Sequence, residues 1–128
     1  MESEILQELV TIRVYIFIIM SAVVLWVLMY AIAAAQKLIV EYKKVINAYF
    51  VNDLLKMFDL GEYEKIIKDC TKMLEKHPNH TDATWYLARA YYYTENNNLS
   101  LDYFNKAVYL VPSWEEDAGH YIKKLNER

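Results

Sequence analysis

VYIFIIMSAVVLWVLMYAIAAA, residues 14–35, holds no charged side chain. As a helix rising about 1.5 Å per residue it extends roughly 33 Å, enough to cross the ~30 Å hydrocarbon core of a bilayer. Each Leu, Ile, Val or Phe near its centre favours insertion by about 0.3 to 0.6 kcal/mol, with no Asp, Lys or Arg to oppose them at about 2.5 to 3.5 kcal/mol apiece. Tyr15 and Tyr30 stand near the two expected interfaces, where an amphipathic ring is favoured. The stretch predicts a transmembrane helix. The charged, amphipathic remainder predicts a small folded domain tethered to it.

Residues 1–13 carry Glu2, Glu4 and Glu8 against Arg13, with an apolar stripe of Ile5, Leu6, Leu9, Val10 and Ile12, and read as a short flank. A secretory signal needs a basic leader, an apolar run of about 7 to 15 residues and small residues at the cleavage site. Ala33-Ala34-Ala35 meets only the last of these, because the leader is acidic and the run too long; a retained anchor is expected. Lys37, Lys43, Lys44 and Lys56 follow the span while Arg13 precedes it, which predicts the amino terminus outside and the domain in the cytoplasm. Ala31 and Ala35 have the small-xxx-small spacing that admits a close helix neighbour, although an alanine-rich helix end needs no partner.

Residues 36–46 continue as a helical stalk. Leu38, Tyr42 and Val45, followed by Tyr49, fall on one face, and no Gly or Pro interrupts the chain before Gly61. The spanning helix is therefore expected to run on into the soluble domain, making anchor and domain one rigid unit. The stripe is expected to pack on that domain, the alternative being a surface kept for another protein.

With 128 residues, the chain has room for one modest domain beside the anchor. Only two Gly and two Pro among so many residues predict an all-α protein. A net charge of -3 and a pI near 5.6 supply no clustered cations to replace phosphate counterions, so nucleic acid is not an expected partner. The single cysteine, Cys70, excludes an internal disulfide framework and a cysteine metal cluster.

From Asn47 the chain repeats with a period of 34 residues: His77-Pro78-Asn79 returns as Val111-Pro112-Ser113, each after a helix, turn and helix pattern. In the second copy, ATWYLARAYYYTENNNLSLDYFNKAVYLVPS, the positions Trp85, Leu87, Ala88, Ala90, Tyr91, Phe104, Ala107 and Pro112 resemble the tetratricopeptide repeat. The first copy matches at Gly61-Glu62-Tyr63 and Pro78, with Ile66, Cys70, Met73 and Leu74 on the inner face of its second helix. Leu54 and Ile122 stand where that family prefers Gly or Ala, Ser100 where it prefers Ala, and Thr84 where it has an aromatic. Thr94-Glu95-Asn96-Asn97-Asn98 replaces its glycine turn, with Asn able to take the left-handed conformation. The resemblance implies an all-α architecture: an N-terminal transmembrane helix (14–35) and stalk (36–46) leading into a short α-α superhelix over 47–128. Its parts are repeats at 47–80 and 81–114 and a capping helix at 115–128, which Ser113 and Glu116 would start as a capping box. Two repeats and a cap fall short of the three that stacked arrays need, so the missing core is expected from the stalk, a second copy or a partner.

By the same resemblance, the first helices of successive repeats line a concave groove that receives an extended peptide or a helix. In this chain the groove would comprise Val51, Leu55, Asp82, Trp85, Tyr86, Arg89, Tyr92 and Tyr93. Trp, Tyr and Arg are enriched at binding hot spots because they bury large rigid surfaces and still offer donors. The family's carboxylate clamp for chaperone tails needs Lys and Asn where this chain has Val51, Leu55 and Tyr86, so that use is not expected. The competing use of Trp85 and Tyr92 is packing against the stalk or the cap.

Other motifs have plain explanations. Pro78 breaks the helix that would bring His77 and His80 to one metal, His120 stands alone, and Cys70 in the repeat register reads as a core residue. Glu115-Glu116-Asp117 reads as an acidic first turn complementing the helix dipole, and the acceptor patterns at Asn79 and Asn98 matter only for a lumenal domain. No phosphate loop, paired nucleophile and base, or metal spacing points to an enzyme or a cofactor. The expected role is a membrane-anchored adaptor that recruits a protein partner through its groove. The alternative is a small accessory subunit of an integral membrane complex, bound through the spanning helix and stalk.

Overall fold

The computed structural model describes residues 1–127. It contains α1 (Glu2–Asp59), α2 (Tyr63–Lys76), α3 (Thr81–Tyr93), α4 (Asn97–Leu110), a 3-10 turn (Pro112–Trp114) and α5 (Glu115–Asn126), with no strand among the described residues. The chain divides into two compact units, Met1–Ile46 and the part from Asn47 onward.

The first unit is helical from Glu2 and is exposed throughout. α1 is long and apolar enough to cross a membrane, and none of its most apolar 18-residue window is buried by the rest of the chain. Apolar side chains are exposed on every side of it. The hydroxyls of Thr11 and Ser21 donate back to the carbonyls of Gln7 and Ile18, each at 2.8 Å, which leaves neither unsatisfied. Leu38, Tyr42 and Val45 of the stalk stripe are 71%, 67% and 51% exposed. The helix itself is unbroken from the span through the stalk, as the absence of Gly and Pro predicts.

The second unit takes the end of α1 into a bundle with α2 to α5. Connections of a few residues set sequential helices side by side. α3 is its centre, with Ala83, Thr84, Tyr86, Leu87, Ala88 and Ala90 all buried. The four small side chains among these let neighbouring helices approach the α3 backbone closely. On one side Leu54 of α1 and Ile66 and Cys70 of α2 close on Ala83, Leu87 and Ala90; on the other Phe104 of α4 and Ala118 and Leu125 of α5 close on Ala88. Ser100, fully buried, donates its hydroxyl to the Ala88 carbonyl at 2.9 Å and so pays for its polarity across the α3–α4 contact. The buried positions recur 34 residues apart: Leu54 and Ala88, Ile66 and Ser100, Cys70 and Phe104, Thr84 and Ala118.

The turns recur too. After α1, Gly61 N–H donates to Phe58 and Glu62 N–H to Met57; after α3, Glu95 N–H donates to Tyr92 and Asn96 N–H to Tyr91. Both are Schellman closures, which need a left-handed residue just past the helix. Gly61 supplies it at φ 71° and Glu95 at φ 60°. The left-handed position therefore falls on Glu95 and not on an Asn of the run, because the bond to the Tyr91 carbonyl fixes which residue must turn. The start of α5 also differs from expectation. Pro112 opens a 3-10 turn that takes up Ser113, the N-cap is Trp114, and no side chain caps the helix.

Candidate functional site

Along α3, residues on the core face alternate with a row that leaves the core: Trp85, Arg89, Tyr92 and Tyr93. Against this row α5 presents Asp117, His120, Tyr121 and Lys124, the i, i+3, i+4, i+7 set of one helix face. Between the two helices lies an open cleft of about 780 Å³, within the range that receives a small ligand or a short piece of chain. Its α3 wall is formed by Trp85, Tyr92 and Tyr93, and Glu95 stands at the end of that wall.

The walls are an aromatic lattice. Tyr121 stacks on Phe104 at 4.7 Å between centroids and meets Tyr92 edge-on at 5.0 Å and Trp85 edge-on at 6.3 Å. Trp85 also meets Phe104 at 5.4 Å and Trp114 at 5.2 Å. Such ring pairs contribute about 0.5 to 1.5 kcal/mol each beyond the area they bury. Tyr121 is thus fixed from below by the core and offers its outer part to the cleft. Tyr93, 45% exposed, stacks on Tyr63 at 5.1 Å and meets Phe58 and Tyr92 edge-on. Burial raises the Tyr93 phenol above its usual value, and the Tyr121 hydroxyl, which shares a hydrogen bond with it, pushes further in the same direction.

The eight residues read from the sequence separate in space. Trp85, Tyr92 and Tyr93 line the cleft. Tyr86 is buried, 8% exposed, packed near Phe58, and burial raises its phenol above the ordinary value. Arg89 lays its guanidinium 4.0 Å from the centroid of Phe58 and 5.7 Å from that of Tyr86, with its Nε buried and unpartnered. Asp82 accepts a hydrogen bond from the Asn47 side chain at 3.0 Å, fastening the tail of α1 to the start of α3. Val51 packs on the α1–α2–α3 core, and Leu55, 44% exposed, lies outside the cleft lining. The α5 contribution of Asp117, His120, Tyr121 and Lys124 was not anticipated. Its signal was the i, i+3, i+4, i+7 spacing in a helix read only as a cap.

Among the described residues no set of His, Cys, Asp and Glu could hold a metal ion. His80 is the N-cap of α3, its Nδ1 accepting from Ala83 N–H at 3.2 Å and its ring edge-on to Phe50. Burial lowers its pKa, an effect opposed by Asp82 and reinforced by His77. Cys70 is fully buried and its thiol is pushed up to about 12, chiefly by burial and further by Asp69, which makes it a poor nucleophile.

Comparison of the chain with protein-family models, with curated proteins and with solved structures gave no match.

Proposed function

We propose that this protein is a membrane-anchored adaptor. In this reading residues 14–35 hold the chain in the bilayer and the helical unit from Asn47 onward receives a segment of another protein in the cleft between α3 and α5. The observation that carries the reading is that cleft, because its rings are braced from below by the core and still line an open concave surface. Pre-set aromatic surfaces lose little side-chain entropy when a partner binds. The tetratricopeptide resemblance supports the same reading: buried positions recurring at the 34-residue period, and the paired Schellman turns, are what stacked repeats of that kind require.

The test is site-specific photo-crosslinking in native membranes with the full-length protein. A crosslinker at Tyr93, in the cleft, should yield one reproducible protein adduct, while a crosslinker at Tyr109, on α4 and 85% exposed, should not. Equal adducts from both positions, or none from Tyr93, would refute the adaptor reading.

The exposed stripe of Leu38, Tyr42 and Val45 favours a second reading, an accessory subunit bound through stalk and span. Replacing residues 14–35 with an unrelated spanning helix separates the two. An adaptor keeps its Tyr93 adduct, whereas a subunit held by its span loses its assembly.

A further inference from the structure

We infer that the cleft between α3 and α5 selects a basic side chain of the partner segment, arginine above all. The inference rests on the adaptor reading and names what that cleft recognises. Two carboxylates, Glu95 and Asp117, flank rings contributed by Trp85, Tyr92, Tyr93 and Tyr121. Ring faces carry negative quadrupole density and attract a cation placed over them; a planar guanidinium can stack there and still turn its N–H donors toward a carboxylate.

The carboxylates are available. Among the described residues the ion pairs are Lys44 with Glu41, Lys56 with Asp53 and Lys65 with Glu62, and none engages Glu95 or Asp117. Lys124 and His120 also face the cleft, and neither forms an ion pair with those two acids. The nearest cation on α3, Arg89, is fixed over the Phe58 ring. The cleft thus holds two carboxylates without an ion-pair partner, beside one lysine and one histidine.

Glu95 adds a conformational point. The equivalent turn 34 residues earlier uses Gly61, which pays no steric penalty at positive φ, and a Cβ built there meets nothing within 4 Å. Glu95 occupies the same left-handed turn at a cost that glycine would avoid, and it stands at the cleft.

The test uses the full-length protein in a non-ionic detergent and three fluorescein-labelled dodecapeptides of Gly, Ser and Leu. They differ only at a central Arg, Leu or Glu, and binding is read by fluorescence anisotropy. The Arg peptide should bind about five- to tenfold more tightly than the Leu peptide, with the Glu peptide weakest. The pair Glu95→Gln and Asp117→Asn keeps side-chain size and should bring the Arg peptide down to the Leu level while leaving Leu binding unchanged. Equal or tighter binding of the Leu or Glu peptide, an Arg preference that survives both substitutions, or no binding by any of the three would overturn the inference. The Tyr93 adduct reports separately on the adaptor reading. If it forms in native membranes from the Glu95→Gln, Asp117→Asn protein as from the unaltered one, recruitment stands and the charge selection falls.

Discussion

Leu54 is the one buried residue of α1, 1% exposed, and its neighbour Leu55 is 44% exposed. If the tail of α1 is an integral helix of the bundle from Asn47 onward, Leu54→Ala must destabilise the whole bundle and Leu55→Ala must not. The size follows from the surroundings. Leu54 contributes to the cluster that holds Ile66, Cys70, Ala83 and Leu87, so truncation loses the transfer energy of the removed methyls and leaves a cavity. Buried Leu→Ala changes cost about 2 to 5 kcal/mol, and flexible Met57 and Met73 beside the site should relax into the gap, which places the expectation at about 2 to 4 kcal/mol. Hydrogen exchange read by mass spectrometry on the full-length protein in detergent isolates this unit, because peptides from α3 report its opening whatever the spanning helix does. At about 1.4 kcal/mol per factor of ten, α3 amides should exchange roughly 30 to 700 times faster in Leu54→Ala. For Leu55→Ala the change should stay under about threefold. Equal effects from the two substitutions would refute the packing of the α1 tail.

Two further outcomes follow from the turns and caps. Glu95→Gly should stabilise the bundle by about 1 kcal/mol, because glycine is free to adopt φ 60°, and Gly61→Ala should destabilise it by a similar amount; thermal unfolding followed by tryptophan fluorescence of Trp85 and Trp114 reads both. His80 has its pKa lowered by burial, so the unfolded chain binds the proton more readily between that lowered value and 6.5. Its contribution is complete above pH 6.5 and is lost as the pH falls through this window, where protonation also takes Nδ1 from the Ala83 N–H. Protection at the first turn of α3, taken relative to the intrinsic base-catalysed exchange rate at each pH, should fall on acidification below pH 6.5 by an amount equal to a lost cap, about 1 kcal/mol, and His80→Asn should flatten that dependence.

What was legible before the structure was whatever periodicity carries. The uninterrupted run from residue 14 and the lack of Gly and Pro through the stalk foretell one continuous helix, and α1 is that helix. The repeat register foretells Ile66, Cys70, Met73 and Leu74 on the inner face of α2; Ile66 and Cys70 are fully buried, while Met73 and Leu74 are partly buried against the same cluster. The failures come from geometry that periodicity does not encode. Ser113 and Glu116 have capping-box spacing, yet Pro112 pre-sets a 3-10 turn and draws Ser113 into it. Asn is the better left-handed residue by type, yet the hydrogen bond from Asn96 to the Tyr91 carbonyl puts Glu95 at the turning position. The site was half visible for the same reason. Trp85, Tyr92 and Tyr93 lie in the repeat whose pattern is strongest, whereas the α5 wall belongs to a copy too short to compare.

The contrast between Gly61 and Glu95 joins the stability of this unit to its cleft. Both residues close a helix by the same pair of hydrogen bonds and both sit in the left-handed region, so the backbone demand at the two turns is identical. A side chain at that position costs stability in either turn. Gly61 is not among the residues lining the aromatic cleft, whereas Glu95 lines it and carries a carboxylate. If the carboxylate serves recognition, stability and selectivity must respond in opposite directions to Glu95→Gly, while Glu95→Gln, which keeps the backbone cost and removes the charge, must lower selectivity at constant stability. If the carboxylate is incidental, Glu95→Gly is stabilising and nothing else. The two substitutions at one residue therefore separate a strained turn that merely tolerates glutamate from one in which glutamate is placed for binding.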